Sequence, residues 1–177
     1  MLLPTRTQAL QLVEKYIHNT ALRHHCQMVA WAMEAYAEAL EQDSELWYQT
    51  GLLHDLDWEQ YPDQHPQVAV NKLLIDYPAE LKQAVLAHAS CRTGVQPQSL
   101  LDKYLFACDE LSGFLHAYSL MRPTGFKGMS SSKAKKKLAD RSFAANVSRE
   151  DILQGFSFLP DSDVKHIQFL IEVFSRN

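Results

Sequence analysis

The sequence predicts an all-α fold. Apolar residues recur at three- and four-residue steps almost throughout. No run alternates with period two, and the Asn-Gly and Asp-Gly pairs that mark tight hairpins are absent. Residues suited to helix caps stand where several apolar stripes begin. A chain of 177 residues is most simply one domain, long enough to bury a sizeable core.

Leu10, Val13 and Ile17 mark the first helix, and Leu22, Cys26, Val29, Met33, Tyr36 and Leu40 a longer second one. Asp43 and Ser44 sit where an N-cap would start a third helix, through Leu46, Leu52 and Leu53. After a loop containing Pro62, a helix is expected from about Pro66 to Asp76, with Pro66 in its first turn. Pro78 opens another, through Leu81, Val85 and His88. Gly94 and Pro97 punctuate before a long apolar helix from about Ser99 to Leu120. Pro123 to Lys133, rich in Gly and Ser, reads as a mobile loop leading into a short basic helix. Ser148-Arg149-Glu150-Asp151 resembles a capping box before Ile152. Pro160 precedes a last helix carrying Val164, Ile167, Leu170, Ile171 and Phe174. The expected organisation is a core at about 20–120, a basic loop or lid at about 122–141, and C-terminal helices at 148–177.

The formal net charge of −4 argues against general nucleic-acid binding, but the charge is uneven. Arg122 to Arg149 holds eight Lys/Arg against Asp140 alone, a local +7, and the remaining residues carry −11. Such asymmetry suggests a local site for anions on an acidic body. Cys26, Cys91 and Cys108 are odd in number and far apart, and read as reduced thiols rather than a disulfide frame or zinc knuckle. No window approaches a membrane span, and the first residues lack the apolar core of a signal peptide. A cytoplasmic protein that does not engage membranes is the expectation; the oligomeric state is left open.

The chemistry-bearing residues are His25, the pair His54-Asp55, then His65, His88 and Asp109. Imidazole nitrogen and carboxylate oxygen hold catalytic divalent metals, and this set could supply one metal generously or two adequately. Each candidate lies on or beside an apolar stripe. His25 is next to Cys26 and four before Val29; His88 is three after Val85; Asp109 follows Leu105-Phe106-Ala107-Cys108. Burying a carboxylate there is costly unless it is paired or binds a metal. On a helix, His54 and Asp55 would project about 100° apart and could reach one metal from two sides. A lone histidine is most simply a hydrogen-bonded core residue, and His18, His116 and His166, lacking a matching partner, are read that way. His24 competes with His25, whose position fits the stripe better.

The order His, His-Asp, Asp at His25, His54, Asp55 and Asp109, with Leu22 to Ala30 and Gly51-Leu52-Leu53 as context, resembles the HD-domain superfamily of metal-dependent phosphohydrolases. The resemblance spans roughly residues 20 to 120. His65 and His88 look like the additional ligands of a six-ligand subgroup with a dinuclear metal centre. The glycine frequent after the HD pair is replaced by Leu56-Asp57. The resemblance implies a helical bundle and a divalent cofactor of two ions. Iron or manganese is favoured over zinc by the ligand number and the nitrogen–oxygen mix, with magnesium also admissible.

A metal held with an open position lowers the pKa of its water toward neutrality, giving a nucleophile for attack on phosphorus. Asp57 and Glu59, just past the metal pair, are candidate acids or bases; related mononuclear HD phosphatases keep acids in this region. Arg122, Lys127, Lys136 and Arg141 are candidate phosphate contacts. Trp58 and Tyr61 could stack a base, or simply pack. The leading reading is a phosphohydrolase acting on a small phosphorylated metabolite, a nucleotide foremost. The alternatives are a di-iron oxygenase of the inositol-oxygenase type and a non-catalytic metal- or nucleotide-binding module.

Overall fold

In a computed structural model, residues 3–177 are described, and they contain helices and no strand. The all-α expectation holds. The chain divides into two compact units, Met1–Phe106 and Ala107–Asn177.

Three capped helices build the base of the first unit. Helix α1, Arg6–Tyr16, starts at a reciprocal box: the Thr5 hydroxyl accepts the Gln8 amide, and the Gln8 side chain accepts the Thr5 amide at 2.8 Å. It buries Ala9 and Val13. Leu10, expected on that stripe, is exposed, because the buried face runs through Ala9 instead. Helix α2, Thr20–Ala39, is capped by Asn19, whose side-chain oxygen accepts the Ala21 and Leu22 amides. Its face Cys26, Val29, Met33 and Tyr36 is buried as expected. Helix α3, Ser44–Leu53, is capped by Asp43. Arg6 ties the three together, with Glu34 at 2.7 Å and Glu45 at 2.8 Å, its guanidinium lying 3.6 Å over the Tyr48 ring.

Helices α2 and α3 approach backbone to backbone at Gly51. A Cβ there would lie 2.8 Å from the Val29 carbonyl oxygen and 2.9 Å from Ala30 Cα. Only glycine lets α3 sit this close, and the close approach brings the residues around His25 and His54 together.

Beyond α3 the chain turns through His54 to Gln60, so the HD pair lies at the end of a helix rather than within one. A 3₁₀ turn, Pro62–Gln64, follows. The helix expected from Pro66 to Asp76 is shorter and irregular, with a π-helical segment at Ala69–Leu73. Helix α4, Ala79–His88, comes next, then a short α5, Ser90–Thr93, that closes on Gly94 at φ +75°. Helix α6, Leu100–Leu120, starts where Asp102 accepts the Gln98 and Ser99 amides, and it runs through the boundary between the units.

The second unit contains the rest of α6 with α7, Ser131–Lys137, α8, Arg149–Phe158, and α9, Asp163–Phe174. Ser148 caps α8, its hydroxyl accepting the Asp151 amide, but the expected box is only half formed, since the Ser148 amide donates to Glu110 at 3.0 Å rather than to Asp151. A Cβ added at Gly155 would lie 2.8 Å from Ala107 Cα, a second place where only glycine fits. His166 is buried, its Nε2–H donating to the Ala107 carbonyl at 3.1 Å. It is the core histidine that the sequence suggested.

The segment expected as a loose basic loop is well tied down. The Arg122 guanidinium donates to the Gly125 and Lys127 carbonyls, and Phe126 packs on Phe174 at 5.3 Å between ring centroids. Met129 and Ala134 are buried, and Lys135 pairs with Asp163 at 2.7 Å. Arg149 is also buried, donating to four carbonyls between Asp140 and Val147. No described helix is long and apolar enough to cross a membrane.

Candidate metal centre

Two of the histidines sit where helices end. His54 is the C-cap of α3 and His88 the last residue of α4. The final carbonyls of a helix lack intrahelical donors. Here the imidazoles supply them: His54 Nδ1 lies 2.7 Å from the Gly51 carbonyl oxygen, and His88 Nδ1 2.6 Å from that of Val85. A carbonyl only accepts, so each Nδ1 carries the proton and each Nε2 carries the lone pair. His65 reaches the same state by another route. Its Nδ1 donates to Asp57 Oδ1 at 2.7 Å.

The Nε2 atoms converge. His65 Nε2 and His88 Nε2 are 3.1 Å apart, and His25 Nε2 and His54 Nε2 are 3.3 Å apart. Asp55 stands between the pairs and serves both. Its Oδ2 is 3.4 Å from His54 Nε2 and 3.8 Å from His25 Nε2; its Oδ1 is 3.5 Å from His65 Nε2 and 3.8 Å from His88 Nε2. Burial raises the Asp55 carboxyl. When His54 takes up a second proton on Nε2, its charge and hydrogen bond, with His88 and His25 adding, outweigh that and hold the carboxyl well below the usual carboxylate range. His54 is fully buried and His65 and His88 nearly so.

These donors suit a divalent cation. Two groups, His25-His54-Asp55 and Asp55-His65-His88, each have ligand atoms within 4.8 Å of one another. The lone pairs of His65 and His88 face each other at 3.1 Å. Two neutral imidazoles resist that arrangement, and a shared cation stabilises it. Neutral Nε2 donors and a carboxylate are the ligand types that iron, manganese and zinc accept.

Asp109 lies in the second unit, on α6, part-buried. Beside it, burial and then the Asp109 charge push the Cys108 thiol up, which leaves that cysteine an inert core residue. His24 is exposed, edge-on to Trp31, and the His18 amide donates to Glu59. Neither joins the cluster formed by His25, His54, His65, His88 and Asp55.

The two carboxylates expected to move protons are engaged otherwise. Asp57 is fully buried; its Oδ1 holds His65, and its Oδ2 accepts the Ala69 amide at 2.7 Å. Glu59 turns to the head of α2, where Oε2 accepts the His18 and Asn19 amides at 2.7 and 2.8 Å. The Asn19 amide, with His18 adding, holds the Glu59 carboxyl below its usual range, which disfavours it as a proton donor near neutrality. Among the expected phosphate contacts, Arg122 is committed to loop carbonyls, and Arg141 forms an exposed pair with Glu150 at 2.7 Å. Exposed pairs contribute little and exchange easily. Lys127 and Lys136 are exposed.

A groove of about 460 Å³ beside the cluster is lined by Asn19, Ala21, Leu22, Trp58, Glu59 and Pro62. Trp58 stands edge-on to His65, with ring centroids 5.0 Å apart, and Arg92 lies 4.9 Å over its ring. The sequence reading passed over Arg92 and the carbonyls of Gly51 and Val85. The i−3 spacing of those carbonyls from histidines at helix ends was the available signal.

The described residues are helical and bring His25, His54, Asp55, His65 and His88 together as donors that could hold a divalent metal. The model of the HD domain matches residues 22–113, a stretch that contains all six expected ligands, and the chain belongs to that family. Neither the curated proteins nor the solved structures yielded a match to the chain. HD domains bind divalent metals and are in general metal-dependent phosphohydrolases, so the family points to hydrolase activity here.

Proposed function

We propose that this protein is a metal-dependent phosphohydrolase acting on a small phosphorylated metabolite, with a nucleotide as the preferred class. The observation that carries the reading is Asp55, whose two oxygens face separate imidazole pairs, His25/His54 and His65/His88. Were two ions bound, His25 and His54 would hold one, His65 and His88 the other, and Asp55 would have an oxygen for each. Asp109 is proposed as the sixth ligand, on the order of the motif. Iron or manganese fits the nitrogen-rich set better than magnesium, which favours oxygen donors.

A bound divalent metal supplies Lewis acidity and a nucleophile at neutral pH. The chain's own residues do the rest. Gly51, Val85 and Asp57 keep three imidazoles in one tautomer and one orientation, so the donors need no reorganisation when the substrate arrives. Trp58, part-exposed at the groove, offers an aromatic face for a nucleobase. Lys127 and Lys136 are proposed as the cations for phosphate oxygens, with Arg141 exchangeable from its surface pair. Arg122, proposed with them, would have to exchange its bonds to the Gly125 and Lys127 carbonyls for a phosphate.

The test combines elemental analysis of protein purified without chelator with a phosphomonoester and phosphodiester panel including nucleotides. Metal near two equivalents with turnover of a phosphoester supports the reading. Bound metal with no turnover on the panel overturns it, and activity requiring iron and oxygen would place the protein with the oxygenases.

A further inference from the structure

Asp57 is a carboxylate with both oxygens spoken for and no exposure to solvent. One neighbour is the imidazole of His65, the other the backbone amide of Ala69, first residue of the π-helical segment. We propose that Asp57 is a positioning residue. It sets the tautomer of His65, and through it the affinity of the centre for metal. This rests on the reading of His65 as a metal ligand.

The argument turns on what each neighbour can do. The Ala69 amide only donates, so the oxygen facing it must accept. The His65 Nδ1 can donate or accept, and its choice decides the state of Nε2. Against a carboxylate oxygen at 2.7 Å, Nδ1 donates and Nε2 keeps its lone pair toward His88 Nε2 and Asp55. Against a donor, Nδ1 would have to accept, the proton would move to Nε2, and the ring could no longer bind a cation there.

The substitution Asp57→Asn exploits this asymmetry. The fixed Ala69 amide claims the carbonyl oxygen of the new side chain, because the opposite orientation would set two N–H groups against each other. The amide nitrogen is thereby turned toward His65 Nδ1 and imposes the Nε2–H tautomer. The shape of the side chain is nearly unchanged, so the effect is one of hydrogen-bond polarity rather than of packing. His54 and His88 are fixed by backbone carbonyls that no side-chain substitution alters, whereas the Nδ1 partner of His65 is a side-chain carboxylate that a single substitution changes.

The experiment reads the imidazole nitrogens of metal-free protein by ¹⁵N NMR, above the ordinary histidine titration range, with His65→Gln to assign the signal. The wild type should show His65 protonated on Nδ1, and Asp57→Asn should show it protonated on Nε2. Mn²⁺ titration should then show affinity lowered about 10- to 100-fold in Asp57→Asn, the usual effect of losing a partner that orients a ligand. Wild-type His65 protonated on Nε2 overturns the proposal without recourse to any variant. So does a folded Asp57→Asn variant in which either the tautomer or the Mn²⁺ affinity matches wild type. Because the tautomer is read without metal or substrate, a failure here is distinct from a failure of the phosphohydrolase reading, which shows as absent turnover with metal bound.

Discussion

Gly51→Ala offers a demanding test of how the centre is assembled. The added Cβ would fall 2.8 Å from the Val29 carbonyl oxygen and 2.9 Å from both Ala30 Cα and N. All three atoms are backbone in the middle of α2, so no side chain can rotate away. To reach an ordinary contact of 3.4 Å, α3 must move by roughly 0.6 Å relative to α2. Overpacking of this kind costs about 1–3 kcal/mol, and the better helix propensity of alanine offsets up to ~1 kcal/mol of it. The expected net loss is ~1–2 kcal/mol, which lowers Tm by roughly 2–8 °C in a chain of this size. The displacement matters more at the site. His54 follows Gly51 by one turn and faces His25 of α2 with their Nε2 atoms 3.3 Å apart. Ligand sets work within about 0.5 Å of their productive geometry, so metal affinity should fall with stability. Thermal unfolding and Mn²⁺ titration of the same preparation measure both. A Tm equal to or above wild type, as propensity alone dictates, would refute the close-packing argument; a lowered Tm with unchanged metal affinity would refute the coupling to the site.

Asp55→Ala should remove metal from both groups at once and abolish turnover while leaving helical circular dichroism intact, since Asp55 faces both imidazole pairs; retention of a full metal complement would contradict its shared position. His88→Ala should lower metal content by about one equivalent, and unchanged content would remove His88 from the ligand set. His166 adds a pH dependence: burial holds its imidazole down to about 4 from the ordinary 6.5, against the opposing pull of its bond to the Ala107 carbonyl. The unfolded chain therefore takes up the proton first, so stability is full above about pH 6.5 and is lost as pH falls toward 4, by ~2 kcal/mol at pH 5. Urea unfolding at pH 7.5 and pH 5 should show a steeper loss in wild type than in His166→Gln, and parallel losses would count against it. Lys127→Ala and Lys136→Ala should each lower kcat/KM roughly ten- to a hundredfold if they hold phosphate, a charge-assisted contact being worth about 1.5–3 kcal/mol; wild-type kcat/KM in both would return the segment to ordinary surface.

Much of this was legible in the chain itself. Helical periodicity and capping residues marked out α2, α3, α4, α6 and α9, because those signals are local and the physics behind them acts within a few residues. The same holds for the candidate ligands: His25, His54, Asp55, His65 and His88 stand out by residue type against apolar surroundings, and imidazole and carboxylate are the donor types a divalent metal takes. What the sequence could not supply was direction. Asp57 reads as a spare acid until its oxygens are seen on His65 and Ala69, 8 and 12 residues away. Arg122 reads as a free cation until its guanidinium is seen on the carbonyls of its own loop. Between α3 and α4 the expected helix is shortened and carries a π-helical segment at Ala69–Leu73, whose first amide donates to the distant Asp57 carboxylate, a partner that local propensity does not register. Residue identity determined which chemistry the chain could do; only tertiary structure, by choosing which lone pair and which oxygen face inward, decided which atoms would do it.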